Sequence, residues 1–165
     1  MLRGADVVAV VTGPDKVRLC RERGATHVVD RSAAGLRARL REIGGVDVVL
    51  DMVGGEVSEQ ALRALRPGGR FVTIGYASGV IPAIPLNLVL LKDISITGFQ
   101  MRTFLDRFPG RAADGWRELA GHLAAGRLRP RIGARFPLAA VAAALRAVAD
   151  RRVLGKAVID VDEDA

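Results

Sequence analysis

Short aliphatic runs alternate with amphipathic stretches along this chain, and glycine or proline marks most junctions. That alternation constrains the fold more than any other feature. Asp6–Val11 (DVVAVV) reads as a buried strand. Pro14–Arg23 reads as a helix, with proline at a permitted first-turn position and Gly24 just past its end. His27–Val29 is a short strand ending at Asp30. Ala33–Glu42 is a helix with Leu36, Leu40 and Ile43 on one face. Val46–Leu50 is apolar on both faces apart from Asp47, as a central parallel strand is. Val57–Leu65 is the next helix, stopped by Pro67-Gly68-Gly69, and Arg70–Ile74 the next strand. Ile94–Thr97 is a further strand, and Gly115–Ala125 and Leu138–Ala149 are amphipathic helices. Lys156–Val161 closes the pattern, followed by an acidic tail over 162–165. Such alternation with short turns predicts an α/β fold with a doubly wound parallel sheet covered on both faces.

Composition narrows the functional classes. Half of the 165 residues are hydrophobic, enough for one domain with a real core. Only 4% are aromatic, so that core is aliphatic. The net charge of +7 raises nucleic acid as a partner. The arginines argue against it: Arg18, Arg37, Arg63, Arg117 and Arg146 are spread over separate helices, without a dense basic block or interleaved aromatics. The single Cys20 excludes an internal disulfide and a multi-cysteine zinc site, and reads as a packed thiol. His27 and His122 lack metal-ligand spacing. The opening residues do not form a signal peptide, and the run Ile84–Leu91 is too short to span a membrane. A cytoplasmic protein is the default expectation.

In parallel sheets ligands bind beyond the carboxyl ends of the strands, so those ends carry the functional reading. After the first strand comes Thr12-Gly13-Pro14-Asp15-Lys16. An NAD-preferring site often places a carboxylate there, whereas this chain offers Thr12 to donate a hydrogen bond and Lys16 to supply charge for the extra phosphate of NADP. Arg31, after the second strand, can approach the same phosphate, and the helix start adds backbone N–H groups. The alternative is that Thr12 and Asp15 cap a helix and the two cations are solvated. Two further strand ends carry small-residue loops, Asp51-Met52-Val53-Gly54-Gly55 and Gly75-Tyr76-Ala77-Ser78-Gly79. Either alone is a turn; together they favour a cleft in which backbone approaches a flat ligand. Asp30 and Asp51 read as structural hydrogen-bonding groups. The chain has no GxSxG, no HExxH and no paired carboxylates of recognisable spacing.

Taken together, VDVVLDMVGG, ALRALRPGGRFVTIGYASG, IPLNLVLLKDISITGF and GKAVID resemble the medium-chain dehydrogenase/reductase superfamily, above all its zinc-independent quinone oxidoreductase branch. The resemblance covers nearly the whole chain but only the later part of the family pattern. It implies a Rossmann cofactor domain, residues 1–130, and a segment, 131–165, that packs on a GroES-like catalytic domain. It implies hydride transfer from NADPH to a quinone or an α,β-unsaturated carbonyl. By this resemblance Thr12, Lys16 and Arg31 contact the adenosine ribose phosphate; the family often has a tyrosine where Arg31 stands. Val53 and Gly54 line the adenosine-side ribose, and Ile74, Gly75, Tyr76 and Ser78 flank the nicotinamide half. Phe99 and Met101 match the segment that contacts the carboxamide, and Lys156 matches a lysine near the cofactor. Ile94–Thr97 resembles an edge that pairs between subunits, which implies a homodimer.

Only Met1–Ala5 precede the first strand, too few for the family's phosphate-binding glycine turn and its strand. In the Rossmann order 3-2-1-4-5-6 that strand is central, so the expected fold is an incomplete sheet lacking its first strand and glycine-rich loop. Its neighbours, Asp6–Val11 and Val46–Leu50, would close up directly or be bridged by another chain. A separate N-terminal catalytic chain is one implied partner. The other readings are a non-catalytic nucleotide-binding or oligomerisation module, and an AdoMet-dependent methyltransferase suggested by LRPGGRFV. The methyltransferase reading lacks an early glycine-rich loop, and Ile81–Phe99 fits the oxidoreductase pattern better.

Overall fold

Every strand pair in the computed structural model, which describes residues 2–31 and 35–161, runs parallel. β1 (Val8–Val11) pairs with β2 (His27–Asp30). β3 (Val46–Asp51), β4 (Leu65–Thr73) and β5 (Ser95–Gly98) form a second sheet in that order. β6 (Ile132–Pro137) and β7 (Lys156–Asp160) form a third. Helices α1 (Pro14–Glu22), α2 (Leu36–Glu42), α3 (Glu56–Arg63) and α4 (Leu86–Lys92) make the crossovers between the first five strands. Then come α5 (Met101–Arg107), α6 (Pro109–Ala124), a 3-10 turn at Leu138–Ala140 and α7 (Val141–Ala149). The chain divides into two compact units, one spanning 3–112 and the other beginning at Ala113 within α6. Among the described residues no helix is long and apolar enough to cross a membrane.

The first unit is held by two aliphatic clusters. Leu62, Leu65, Phe71 and Ile94 are buried together, with Val49 of β3 and Leu88 and Val89 of α4 packed against them. Leu36 and Leu40 of α2 join Val29 of β2 and Ala64 at the end of α3, flanked by Val8 and Val57. The second cluster therefore draws on the β1–β2 sheet and on α2 and α3. Leu36 and Leu40 lie on the helix face expected from their spacing. The expected start at Ala33 lies outside the described residues.

Several elements differ from expectation; α6 begins at Pro109 rather than Gly115, and β6 was not expected as a strand. The third helix ends at Arg63 rather than Leu65, because Leu65 is almost fully buried and pairs with Val46 as the first residue of β4. Pro67-Gly68-Gly69 therefore interrupts a strand instead of preceding one. The register shifts from Val46↔Leu65 to Val48↔Arg70, so these residues form a bulge. Gly69 fits there because a Cβ would stand 2.8 Å from the Arg66 carbonyl and 3.1 Å from that of Asp47. α4 was not expected as a helix: LNLVLLK is apolar on every face, and Leu86, Leu90 and Leu91 remain exposed beside the inward Leu88 and Val89. α5 begins after Gln100, whose Oε1 accepts from the Thr103 N–H at 2.6 Å, a cap outside the usual Ser/Thr/Asp/Asn set.

The two sheets of the first unit do not close on each other. Among the described residues β1 bonds only to β2, and β3 bonds only to β4 on its inner side. Direct closure of those edges, one of the two expected outcomes, is thus not what the chain does. Val48 and Leu50 of β3, pointing away from the Val49–Phe71 cluster, are 42% and 61% exposed. In the second unit β6 and β7 are joined by backbone pairing and an Arg135–Asp160 ion pair, with α7 on the connecting stretch.

Leu62 has no exposed surface, so Leu62→Ala removes a fully packed side chain. The expected cost is about 2–5 kcal/mol, read as a lower urea midpoint with unchanged slope.

Candidate functional site

The carboxyl ends of β1 and β2 bring Thr12 and Arg31 together. Arg31 Nε donates to Thr12 Oγ1 at 2.8 Å, and the Arg31 N–H donates to the Val11 carbonyl. Asp30 precedes Arg31, and both its carboxylate oxygens accept from the Gly13 N–H, at 3.3 and 3.2 Å. The acidic residue at this corner is thus committed to the backbone that starts α1. Lys16 lies in the first turn of that helix, where Asp15 pairs with Arg18 at 2.7 Å rather than with the lysine. The corner presents a hydroxyl, a guanidinium and an ammonium at the start of a helix, a donor set suited to a phosphate monoester.

Asp51 organises the second corner. Its side chain is buried at the end of β3. Oδ1 accepts from the N–H groups of Val53 and Gly54 at 2.9 and 3.0 Å, and Oδ2 accepts from Ser58 Oγ at 2.5 Å. Its backbone carbonyl accepts from the Ile74 N–H at 2.7 Å. The loop after β4 then follows the loop after β3: Ala77 N–H donates to Met52, Ser78 N–H to Val53, and Gly55 N–H to Val80. The two small-residue loops are thus zipped into one surface carrying Val53, Gly54, Ile74, Gly75, Tyr76 and Ser78. Gly54 has φ 76°, and a Cβ there would meet the Val80 carbonyl at 2.5 Å and the Tyr76 ring at 3.0 Å. Its lack of a side chain serves the approach of the two loops. Ser78 Oγ accepts from the Val80 N–H at 3.2 Å and so holds its own turn.

Phe99 continues the sheet beyond β5, its N–H donating to Thr73 at 2.9 Å. Here Ile74, Gly75 and Tyr76 meet Phe99 and α5 around a cleft of about 450 Å³. Met101, at the start of α5, is exposed beside it. Lys156 opens β7 in the second unit, its N–H donating to the Arg131 carbonyl.

Sequence reasoning passed over Phe104, Arg107 and Phe108, which line the cleft. A signal was present: three of the chain's five phenylalanines fall within residues 99–108, in a protein poor in aromatics. Among the described residues no three His, Cys, Asp or Glu side chains converge as metal ligands.

Asp51→Ala leaves the Val53 and Gly54 N–H groups and the Ser58 hydroxyl without their acceptor. It is expected to cost about 2–4 kcal/mol and to raise amide exchange at Val53, Gly54 and Ile74 before the rest of the unit. Uniform exchange behaviour would contradict the role given to the carboxylate.

Comparison with known proteins adds to this geometry. A family model described as "Zinc-binding dehydrogenase" matches residues 1–116. The chain is 35% identical over 164 residues to quinone oxidoreductase-like protein 2 of Bos taurus, covering 95% of this chain and 46% of that protein. It is 31% identical over 160 residues to a quinone oxidoreductase of Pseudomonas aeruginosa, covering 94% of this chain and 49% of the other. The fold superposes on the quinone oxidoreductase of Thermus thermophilus, which has also been solved in complex with NADPH. The TM-score is 0.83 at 33% identity, over 96% of this chain and 50% of that one. The chain thus spans about half the length of the curated relatives it matches.

Proposed function

We propose that this chain, which belongs to the zinc-binding dehydrogenase family of the medium-chain dehydrogenase/reductase superfamily, is the cofactor-binding portion of an NADPH-dependent oxidoreductase of the quinone or enone reductase type. The observation that carries the choice of cofactor is the corner at β1 and β2. Arg31 bonds Thr12, and Asp30 bonds Gly13. A carboxylate free to bind ribose hydroxyls would favour NADH and repel a 2′-phosphate; here Asp30 accepts from the Gly13 N–H and the exposed Asp15 pairs with Arg18, which leaves Thr12, Lys16 and Arg31 for the phosphate. Arg31 and Lys16 neutralise the phosphate, and Thr12 supplies a short polar contact.

The remaining groups orient the rest of the dinucleotide. Val53 and Gly54 offer an apolar, close backbone surface to the adenosine ribose. Ile74, Gly75, Tyr76 and Ser78 border the nicotinamide half, and Phe99 and Met101 close its far side. When bound, the cofactor supplies a hydride for an acceptor quinone or enone. The chain's own part is to bind that cofactor, fix the ring face and exclude water from it. Residues 131–165 pack on a GroES-like catalytic domain, which the reading assigns to a region or chain beyond these residues. The outer edge of β5 pairs with nothing among the described residues, and Ser95–Gly98 are exposed, which supports pairing with a second copy along that edge.

Calorimetry of the chain with NADPH and with NADH tests the reading. NADPH is expected to bind at least about tenfold more tightly, and Arg31→Ala to remove most of that difference, since a charge-assisted contact to phosphate is worth about 1.5–3 kcal/mol. Equal affinity for the two nucleotides would contradict it. Enone or quinone reduction with NADPH, assayed alone and with a GroES-like partner chain, tests the activity. The expected result is turnover only with the partner.

A further inference from the structure

α1 begins without a cap of its own. Its N-cap is Gly13, at φ 90° and ψ 155°, and no side chain at that position bonds the first turn. Pro14 follows and brings no N–H. Helices usually fix their start with a Ser, Thr, Asp or Asn side chain at the N-cap. Here the fixing group comes from the neighbouring strand. Both Asp30 oxygens share the Gly13 N–H, at 3.3 and 3.2 Å, across 17 residues of sequence. Asp30 is the last residue of β2 and pairs with Val11, the last of β1. Past that pair the two strand ends stay stitched together. The Arg31 N–H donates to the Val11 carbonyl at 2.8 Å, Arg31 Nε donates to Thr12 Oγ1 at 2.8 Å, and the Gly13 N–H donates to Asp30. The last of these bonds ties the first turn of α1, which carries Lys16, to the strand end that carries Arg31.

We infer that Asp30 is a positioning residue for nucleotide preference: through the Gly13 N–H it holds Thr12 and Lys16 where one phosphate can meet both of them and Arg31. Asp30 itself touches no phosphate. Its negative charge works against an anion nearby, so its contribution lies in the acceptor and not in the charge. An amide oxygen in the same place would accept from Gly13 without that charge. A methyl group would leave the N–H unpaired and the first turn of α1 untied from β2. Thr12 Oγ1 accepts from Arg31 and so keeps its own hydrogen for the phosphate, but only while the turn presents it. This assignment rests on the reading of the corner as a 2′-phosphate site and adds the group that builds it.

The test compares Asp30→Ala with Asp30→Asn in the full chain. The two variants lose the same charge and differ in the acceptor. In calorimetry with NADPH and with NADH, the preference for NADPH is expected to fall about fivefold in Asp30→Ala, the size of one net hydrogen bond, and to persist in Asp30→Asn. Amide hydrogen exchange without nucleotide reads the turn separately. The Gly13 N–H is expected to exchange faster in Asp30→Ala and to stay protected in Asp30→Asn, while the buried Val29 is unchanged in both. A preference that survives Asp30→Ala, or that Asp30→Asn loses as well, would overturn the assignment and leave the cofactor reading standing. Exchange that rises throughout the first unit in Asp30→Ala would make Asp30 a merely structural residue and overturn the assignment too. Equal affinities for the two nucleotides in the unaltered chain would overturn both.

Discussion

The candidate site depends on one buried carboxylate. Asp51 ends β3, and its side chain replaces the hydrogen bonds that the chain loses when the strand stops. Through Ser58 it fixes the first turn of α3, and through its own carbonyl it fixes the start of the loop after β4. A carboxylate buried without such donors would cost several kcal/mol, so the loop must supply them and take the shape they dictate. Val53, Gly54, Ile74, Gly75, Tyr76 and Ser78 fall on one surface for that reason. Asp30 repeats the device at lower burial, holding Gly13 and freeing Arg31 for Thr12. In both places an acid at a strand end serves the backbone of the loop that follows or faces it.

Much of this was legible from the residues. Alternating aliphatic runs announced parallel strands, and β1, β2, β3 and β7 lie within a residue or two of where the pattern put them. The roles of Asp30 and Asp51 followed from their places at strand ends. What escaped had physical reasons. Leu65 obeys the helical spacing of its neighbours, but tertiary packing pulls it into β4 opposite Val46. α4 hides its inward face because its outward face is leucine too. Gln100 caps α5 through a side chain whose capping role is uncommon, so the helix that carries Phe104 and Arg107 gave no start signal. The cleft escaped because Tyr76 joins Phe99, Phe104 and Phe108 only through the fold, although the three phenylalanines fall within ten residues of one another.

The exposed apolar face of β3 and the unpaired edges of β1 and β3 share one cause, the separation of the two sheets in the first unit. Leu36, Leu40, Val29 and Ala64 span that separation on one side through α2 and α3. The face bearing Val48 and Leu50 has no such cover among the described residues. The corner at Thr12 and Arg31, the zipped loops and the aromatic cleft are each built from contacts internal to residues 3–112.

On the proposed function, the strand ends of this unit form one nicotinamide-nucleotide surface. Its most direct test is a backbone amide map of the chain by two-dimensional NMR during titration with NADPH. Perturbations are expected to be confined to Thr12–Lys16 and Arg31, Val53–Gly54, Ile74–Ser78 and Phe99–Met101 within the first unit, with those at Thr12, Lys16 and Arg31 much reduced when NADH is used. Perturbations scattered over the surface, or the same pattern with both nucleotides at the Arg31 corner, would contradict it.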